Sequence, residues 1–134
     1  MSLFGSLDIS GSGIDASQAW LNTTAGNIAN MNDVTSTDKS AYGVQTPVFT
    51  PIGVAGQVGA GVTVSGIQEG DTTGIVQFDP SSPVADAQGN VRVPDVQLGA
   101  QMVEMIQAQT DYQANTASFA DAKTAYQSAL TIGT

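Results

Sequence analysis

Apolar positions in the last third of the chain recur at a seven-residue interval: Leu98, Met105, Tyr112, Phe119 and Tyr126, with the smaller Ala108, Asn115, Ala122 and Ala129 three residues after four of them. This is the a/d seam of a helix that packs on another helix. Ala, Gln and Met dominate the fill and no proline follows Pro94. The pattern predicts one helix from Asp95 to about Thr131, roughly 35 residues and about 50 Å long. Residues 3–31 carry a second heptad, Leu7, Ile14, Leu21 and Ile28, widened by Ala25 and Met31 with Trp20 beside it. Ser12-Gly13-Ile14-Asp15 reads as a capping box with Asp in place of Glu, so the firm helix is expected to begin near Ser12. Gly11 and Gly13 weaken what precedes, and residues 3–11 are expected to be helical only if something packs on them. Asn30, Asn32 and Asp33 stop the helix.

Between these seams the period changes. Residues 34–40 are polar, a linker of Thr, Ser and Asp. Tyr42, Val44, Thr46 and Val48 then alternate, as do Val62 and Val64, and Ile75, Val76 and Phe78 form a third apolar patch, with glycines punctuating the segments as turns. The expectation is an antiparallel β unit of three or four strands. Pro47 demotes the first strand to an edge or breaks it. Phe78 to Pro94 reads as an extended arm that delivers the chain into the long helix.

The fold class expected is α+β, with long N- and C-terminal helices paired as an antiparallel coiled-coil-like hairpin and a small antiparallel β unit inserted between them. The organisation expected is an N-terminal axial helix over 1–33, the linker, β unit and arm over 34–94, and a C-terminal axial helix over 95–134 that forms one structural unit with the first. Two readings of the seams stay open. In one the hairpin is simply the core; in the other the paired helices also stack on other subunits. Met102, Val103, Ile106 and Leu130 lie outside the a/d seam, and one helix partner would not cover them all.

Composition narrows the chemistry. The 134 residues are 41% apolar but only 11% charged, low for a surface that simply faces water. Twelve carboxylates oppose Lys39, Arg92 and Lys123, a formal charge of −9. Such a surface offers no basic footprint for nucleic acid or an anionic membrane. Absence of Cys and His removes disulfides, thiolate and imidazole ligands, and Ser-His or Cys-His catalysis. No apolar run approaches the roughly 20 residues of a transmembrane helix, and the N-terminus has neither the basic nor the apolar region of a conventional secretory signal.

Local motifs add little. Asp33 and Asp38 do not fit calcium-loop spacing, and Gly56-Gln57-Val58-Gly59-Ala60-Gly61 lacks the Lys and following helix of a nucleotide loop, so it reads as a hairpin turn. Asn22-Thr23-Thr24 is a glycosylation sequon placed inside a helix. Glu69 and Asp71 could share a strand face as a glycosidase pair does, although two acids beside Gly70 more often mark a solvated turn. No cofactor and no metal are expected.

Leu21 to Asn30, Leu-Asn-Thr-Thr-Ala-Gly-Asn-Ile-Ala-Asn, resembles the N-terminal signature of the bacterial flagellar basal-body rod family, with Ile28 in place of its usual Leu. Pro80, Pro83, Ala85-Asp86, Gly89, Val91, Pro94, Val96, Glu104-Met105 and Tyr112-Gln113-Ala114-Asn115 resemble the proximal-rod members in order and spacing. Departures fall at Asn90, at Asp95 and Gln97, and at Thr110-Asp111. The resemblance implies a non-enzymatic structural subunit, exported without a cleaved signal by the flagellar type III apparatus and polymerised in the periplasm into a helical tube that carries torque from rotor to hook. Its implied partners are copies of itself and other axial rod proteins. The implied assembly interface comprises Leu7, Ile14, Leu21, Asn27, Ile28 and Asn30 on the first helix, and Leu98, Met102, Met105, Ile106, Tyr112, Gln113, Asn115, Phe119, Tyr126 and Leu130 on the second. The alternatives are another secreted filament on the same plan and a cell-wall glycoside hydrolase using Glu69 and Asp71.

Overall fold

The computed structural model describes residues 3–53 and 59–132. Helix α1 spans Leu3–Ala29 and helix α2 spans Leu98–Ile132; between them lie strands β1 (Gln45–Pro51), β2 (Val62–Glu69), β3 (Ile75–Phe78) and β4 (Asn90–Val93). The class is α+β. The four strands make two separate two-stranded sheets, β1 with β2 and β3 with β4. Contacts divide the chain into a first compact unit, Met1–Leu21, Pro47–Gly66 and Ile106–Thr134, and a second, Asn22–Thr46 and Ile67–Met105.

In the first unit the helical segments run antiparallel. The Phe4 ring meets the Tyr126 ring edge-on, with centroids 5.0 Å apart. Gly11 faces Phe119, and a Cβ built on Gly13 would lie 2.5 Å from the Asn115 side chain. Real Cβ atoms essentially never sit that close, so a side chain at Gly13 would have to push the Asn115 amide aside. The contact at Phe4 supplies the packing that residues 3–11 need, and α1 is continuous from Leu3 despite Gly11 and Gly13. Ser12 is therefore not a cap. Its hydroxyl donates to the Ile9 carbonyl (2.7 Å) and accepts the Val62 N–H (3.1 Å), which fastens the start of β2 to the middle of the helix.

The buried positions of α1 in this unit are Ser10, Ala16 and Ser17, whereas Leu7, Ile14 and Leu21 are half-buried. The seam thus runs along small residues, with the large apolar ones on its flanks. Opposite, Ala108 is completely buried and Tyr112, Asn115, Ala122 and Tyr126 are half-buried, the heptad stripe expected of α2. Threonines do not break α2, because the hydroxyls of Thr110, Thr116 and Thr124 each return to the carbonyl four residues earlier at 2.8–2.9 Å. Strand β1 runs through Pro47, tolerated because a two-stranded sheet leaves each strand one unpaired edge.

The second unit contains a hairpin where an arm was expected. β3 pairs antiparallel with β4, Ile75 opposite Val93 and Phe78 opposite Asn90. The chain turns back because Asp79 and Asp86 each hold local backbone N–H groups, Asp79 that of Ser81 (3.1 Å) and Asp86 those of Gln88 and Asn90 (both 2.9 Å). Gly74 precedes the hairpin at φ +60°, where a side chain would meet Ala41 and the Val93 carbonyl. The polar segment after α1 is also tied down. Thr35 and Arg92 exchange backbone hydrogen bonds at 2.8 and 2.9 Å, and the Thr37 hydroxyl donates to Asp86 (3.0 Å). Helix α1 ends at Ala29, where the Asn30 side chain folds back to the Gly26 carbonyl at 2.8 Å.

Candidate assembly surface

The second unit is organised on Asn27, whose side chain is fully buried. Its amide nitrogen donates to the Gln45 carbonyl and to Gln101 Oε1, both at 2.8 Å. Its oxygen accepts the Gln45 N–H (2.8 Å) and the Tyr42 O–H (2.9 Å). An amide has two donors and two acceptor positions, and all four are used. Buried Thr23 and Thr24 flank it on α1, and Gln101 is 4% exposed on α2. Burial pushes the Tyr42 phenol above its ordinary value, with an Asn30 hydrogen bond opposing and the Glu69 carboxylate adding to the shift. The motif from Leu21 to Asn30 thus has a physical basis: small residues around one buried amide, because this stretch meets β1 and α2 through hydrogen bonds rather than apolar bulk. Asn27, grouped with the assembly positions from sequence, spends its whole bonding capacity inside its own unit.

The other sequence-picked positions of the second unit differ in exposure. Ile28 and Met105 are half-buried, Asn30 is exposed, and Leu98 and Met102 are 41% and 52% exposed. Val103 is exposed as well. In the first unit Leu7, Ile14, Leu21, Tyr112, Asn115 and Tyr126 lie along the helix pairing, half-buried. Phe119 is 37% exposed, Gln113 is exposed, and Ile106 and Leu130 stand 61% and 55% clear of cover. A cleft of about 310 Å³ opens in this unit between Gly13, Trp20, Phe49, Val62 and Asn115, with the Trp20 and Phe49 rings edge-on at 6.2 Å. A second depression lies beside Ile106, bounded by Trp20, Gln107, Thr110 and Asp111.

Sequence reasoning passed over Gln101, Tyr42, Gln45 and Arg92. Gln101 occupies the seam position three residues after Leu98, and a polar residue at a d position is the one available signal. Arg92 donates from its guanidinium to the Thr73 and Thr37 carbonyls, joining two loops. The acid pair does not have an acid-base arrangement. Glu69 is exposed, and Asp71 accepts from the Thr73 hydroxyl (2.6 Å) and N–H (2.8 Å), which holds its carboxyl below the usual range, the reverse of a general acid. Among the described residues no group of three or more His, Cys, Asp or Glu is placed to hold a metal, and no helix is long and apolar enough to cross a membrane.

Long terminal helices with large apolar side chains left uncovered, and inner positions filled by small residues and amides, define a structural subunit that acts through its surfaces. Residues 87–132 match the family described as flagellar basal body rod FlgEFG protein C-terminal. The chain is 37% identical over 133 residues to the flagellar basal-body rod protein FlgC of Yersinia enterocolitica and 34% identical to that of Salmonella typhimurium, covering 99% of each chain in both comparisons. It is also 34% identical to FlgC of Aquifex aeolicus, over 95% of this chain and 94% of the relative. The chain belongs to the FlgC family of flagellar basal-body rod proteins.

Proposed function

We propose that this protein is a structural subunit of the flagellar basal-body rod, exported by the flagellar type III apparatus without a cleaved signal and polymerised in the periplasm with copies of itself and other axial rod proteins. The observation that carries this reading is the end-to-end similarity to FlgC proteins, over 99% of both chains for two of them. The structure supplies a physical motive. The buried hydrophobic residues among those described are Ala16, Ala41, Val91 and Ala108, while Met102, Val103, Ile106 and Leu130 remain more than half exposed. A subunit with so little apolar interior has apolar area left to bury against neighbours, at about 25 cal/mol per Å².

In this reading residues 1–33 and 95–134 form the axial part. Leu98, Met102, Ile106, Gln113 and Leu130, with Asn30, face adjacent subunits, while Leu7, Ile14, Leu21, Ile28, Met105, Tyr112, Asn115, Phe119 and Tyr126 hold the helices in the register that presents them. Head-to-tail contacts that do not close generate a helical tube, and torque passes along it because long packed helices are stiff. The test is complementation. Expressed in a motile host whose own rod gene of this family is deleted, the chain should restore swimming and be recovered in purified basal bodies. Normal export with no incorporation would defeat the proposal.

A further inference from the structure

The second unit carries a polar pocket of about 240 Å³ whose lining combines Lys39 and Arg92 with Thr37, Asp38, Ser40 and Thr72. The chain has three cations against twelve carboxylates, so two of its three positive charges converge on one small site. Arg92 is fixed there. Its guanidinium donates to the carbonyls of Thr73 and Thr37, which builds the walls, and its backbone pairs with Thr35. Five N–H groups are available to a guanidinium, so donors remain beyond those two. Lys39 is exposed and adds an ammonium group to the lining. Asp38 shares the lining, but its charge is met by the Ser36 hydroxyl and by backbone, with the Lys39 charge a smaller influence. Two cations against the single carboxylate of Asp38 leave this lining with a net positive charge, and hydroxyls add further donors.

A pocket of this size and polarity suits a compact anion with acceptor oxygens on two sides. The question is what supplies it. Copies of a chain with formal charge −9 repel one another, and that repulsion must be relieved wherever they stack. The third cation, Lys123, lies exposed on α2 away from this lining, so the pocket is where each copy concentrates its positive charge. We propose that this pocket receives an Asp or Glu side chain from a neighbouring copy of the same chain. A pocket on one copy taking an acid from the next, with no reciprocal contact, is a head-to-tail contact, and it builds an open filament where its rotation does not close. The proposal rests on the reading that the chain polymerises, and names one of its contacts.

The test uses the full chain. Sedimentation velocity of wild type, Lys39→Glu and the milder Lys39→Gln, across a sodium chloride series, should show self-association weakened about tenfold by the reversal and less by the neutral variant. Rising salt should bring wild type toward the variants. A photo-crosslinking residue at Ser40 in cells should give a dimer of this chain, its junction peptide containing an Asp or Glu. Unchanged association of Lys39→Glu in a chain of native circular dichroism would overturn the proposal, as would crosslinks to another protein alone or a junction without an acid. Each of those outcomes with motility restored leaves the rod assignment standing. A chain that restores no motility and is missing from basal bodies removes the assignment itself.

Discussion

Replacing Asn27 by Ala tests the hydrogen-bonded centre of the second unit. The substitution removes four hydrogen bonds from a fully buried side chain. At a net of about 1 kcal/mol each they amount to ~4 kcal/mol. Two corrections oppose one another: half-buried Tyr42 regains water, whereas Gln101, 4% exposed, keeps an unpaired amide oxygen in the interior. A loss of roughly 3–5 kcal/mol is expected, a large part of the roughly 5–15 kcal/mol that holds an ordinary domain together. Urea unfolding followed by circular dichroism measures it, and Asn27→Ala with Gln101→Ala should cost clearly less than the sum of the two singles, since they share one bond. Asn27→Asp sharpens the test. It keeps both acceptor contacts but sets oxygen against the Gln45 carbonyl, and burial raises the folded pKa of the new carboxyl above its unfolded value. The folded state then binds more protons than the unfolded, so this variant should lose stability as pH rises through the carboxylate range and lie nearest wild type in acid. An Asn27→Ala loss below about 1 kcal/mol, or full additivity with Gln101→Ala, would refute the account.

Gly13→Leu places a branched side chain where even a Cβ meets Asn115, and overpacking should cost about 1–3 kcal/mol in a thermal melt while Gly53→Leu, with open space around it, costs little. Asp86 is held below the usual carboxylate range chiefly by the Asn90 N–H, so the stability it contributes is present above its unfolded pKa and is lost as pH falls through the lower folded value; Asp86→Asn should flatten that part of the acid-unfolding curve and speed amide exchange at Gln88 and Asn90. Ile106→Asp and Met102→Asp alter exposed positions and should leave the melting curve within about 0.5 kcal/mol of wild type while abolishing incorporation into basal bodies, whereas swimming at the wild-type rate would exclude these positions from the contacts.

The long elements were legible in the sequence because period carries them. Met105, Tyr112 and Tyr126, on the seven-residue interval, fall on the half-buried stripe of α2, with Phe119 on the same interval more exposed, and the Asn30-Asn32-Asp33 cluster marks the end of α1. Their interior was less so. A search for apolar repeats selects Leu7, Ile14 and Leu21, yet the deepest positions beside them are Ser10, Ala16 and Ser17, because close backbone approach rewards small volume, which a hydrophobicity pattern scores as neutral. Ser12 carries the local signature of a cap, and only the distant Val62 N–H converts it into a docking point. Strand β4 was hidden for a related reason: Val91 and Val93 alternate over too few residues to register until the Asp79 and Asp86 turns bring them back to β3. Of the assembly positions, the motif drew attention to Asn27, but its four partners come from residues 42, 45 and 101, and no local pattern contains that separation.

That separation has a consequence in time. A ribosome delivers the N-terminus first, and contacts close only when both partners have emerged. The β3–β4 hairpin, complete by Val93, can form early, because residues 79–89 join its strands and all its partners lie close in sequence. Asn27 can meet Tyr42 and Gln45 first, but its fourth hydrogen bond must wait for Gln101. Phe4 waits longer still, for Tyr126. The first unit to begin leaving the ribosome is therefore the last to finish, and for most of its synthesis the chain can hold only local structure.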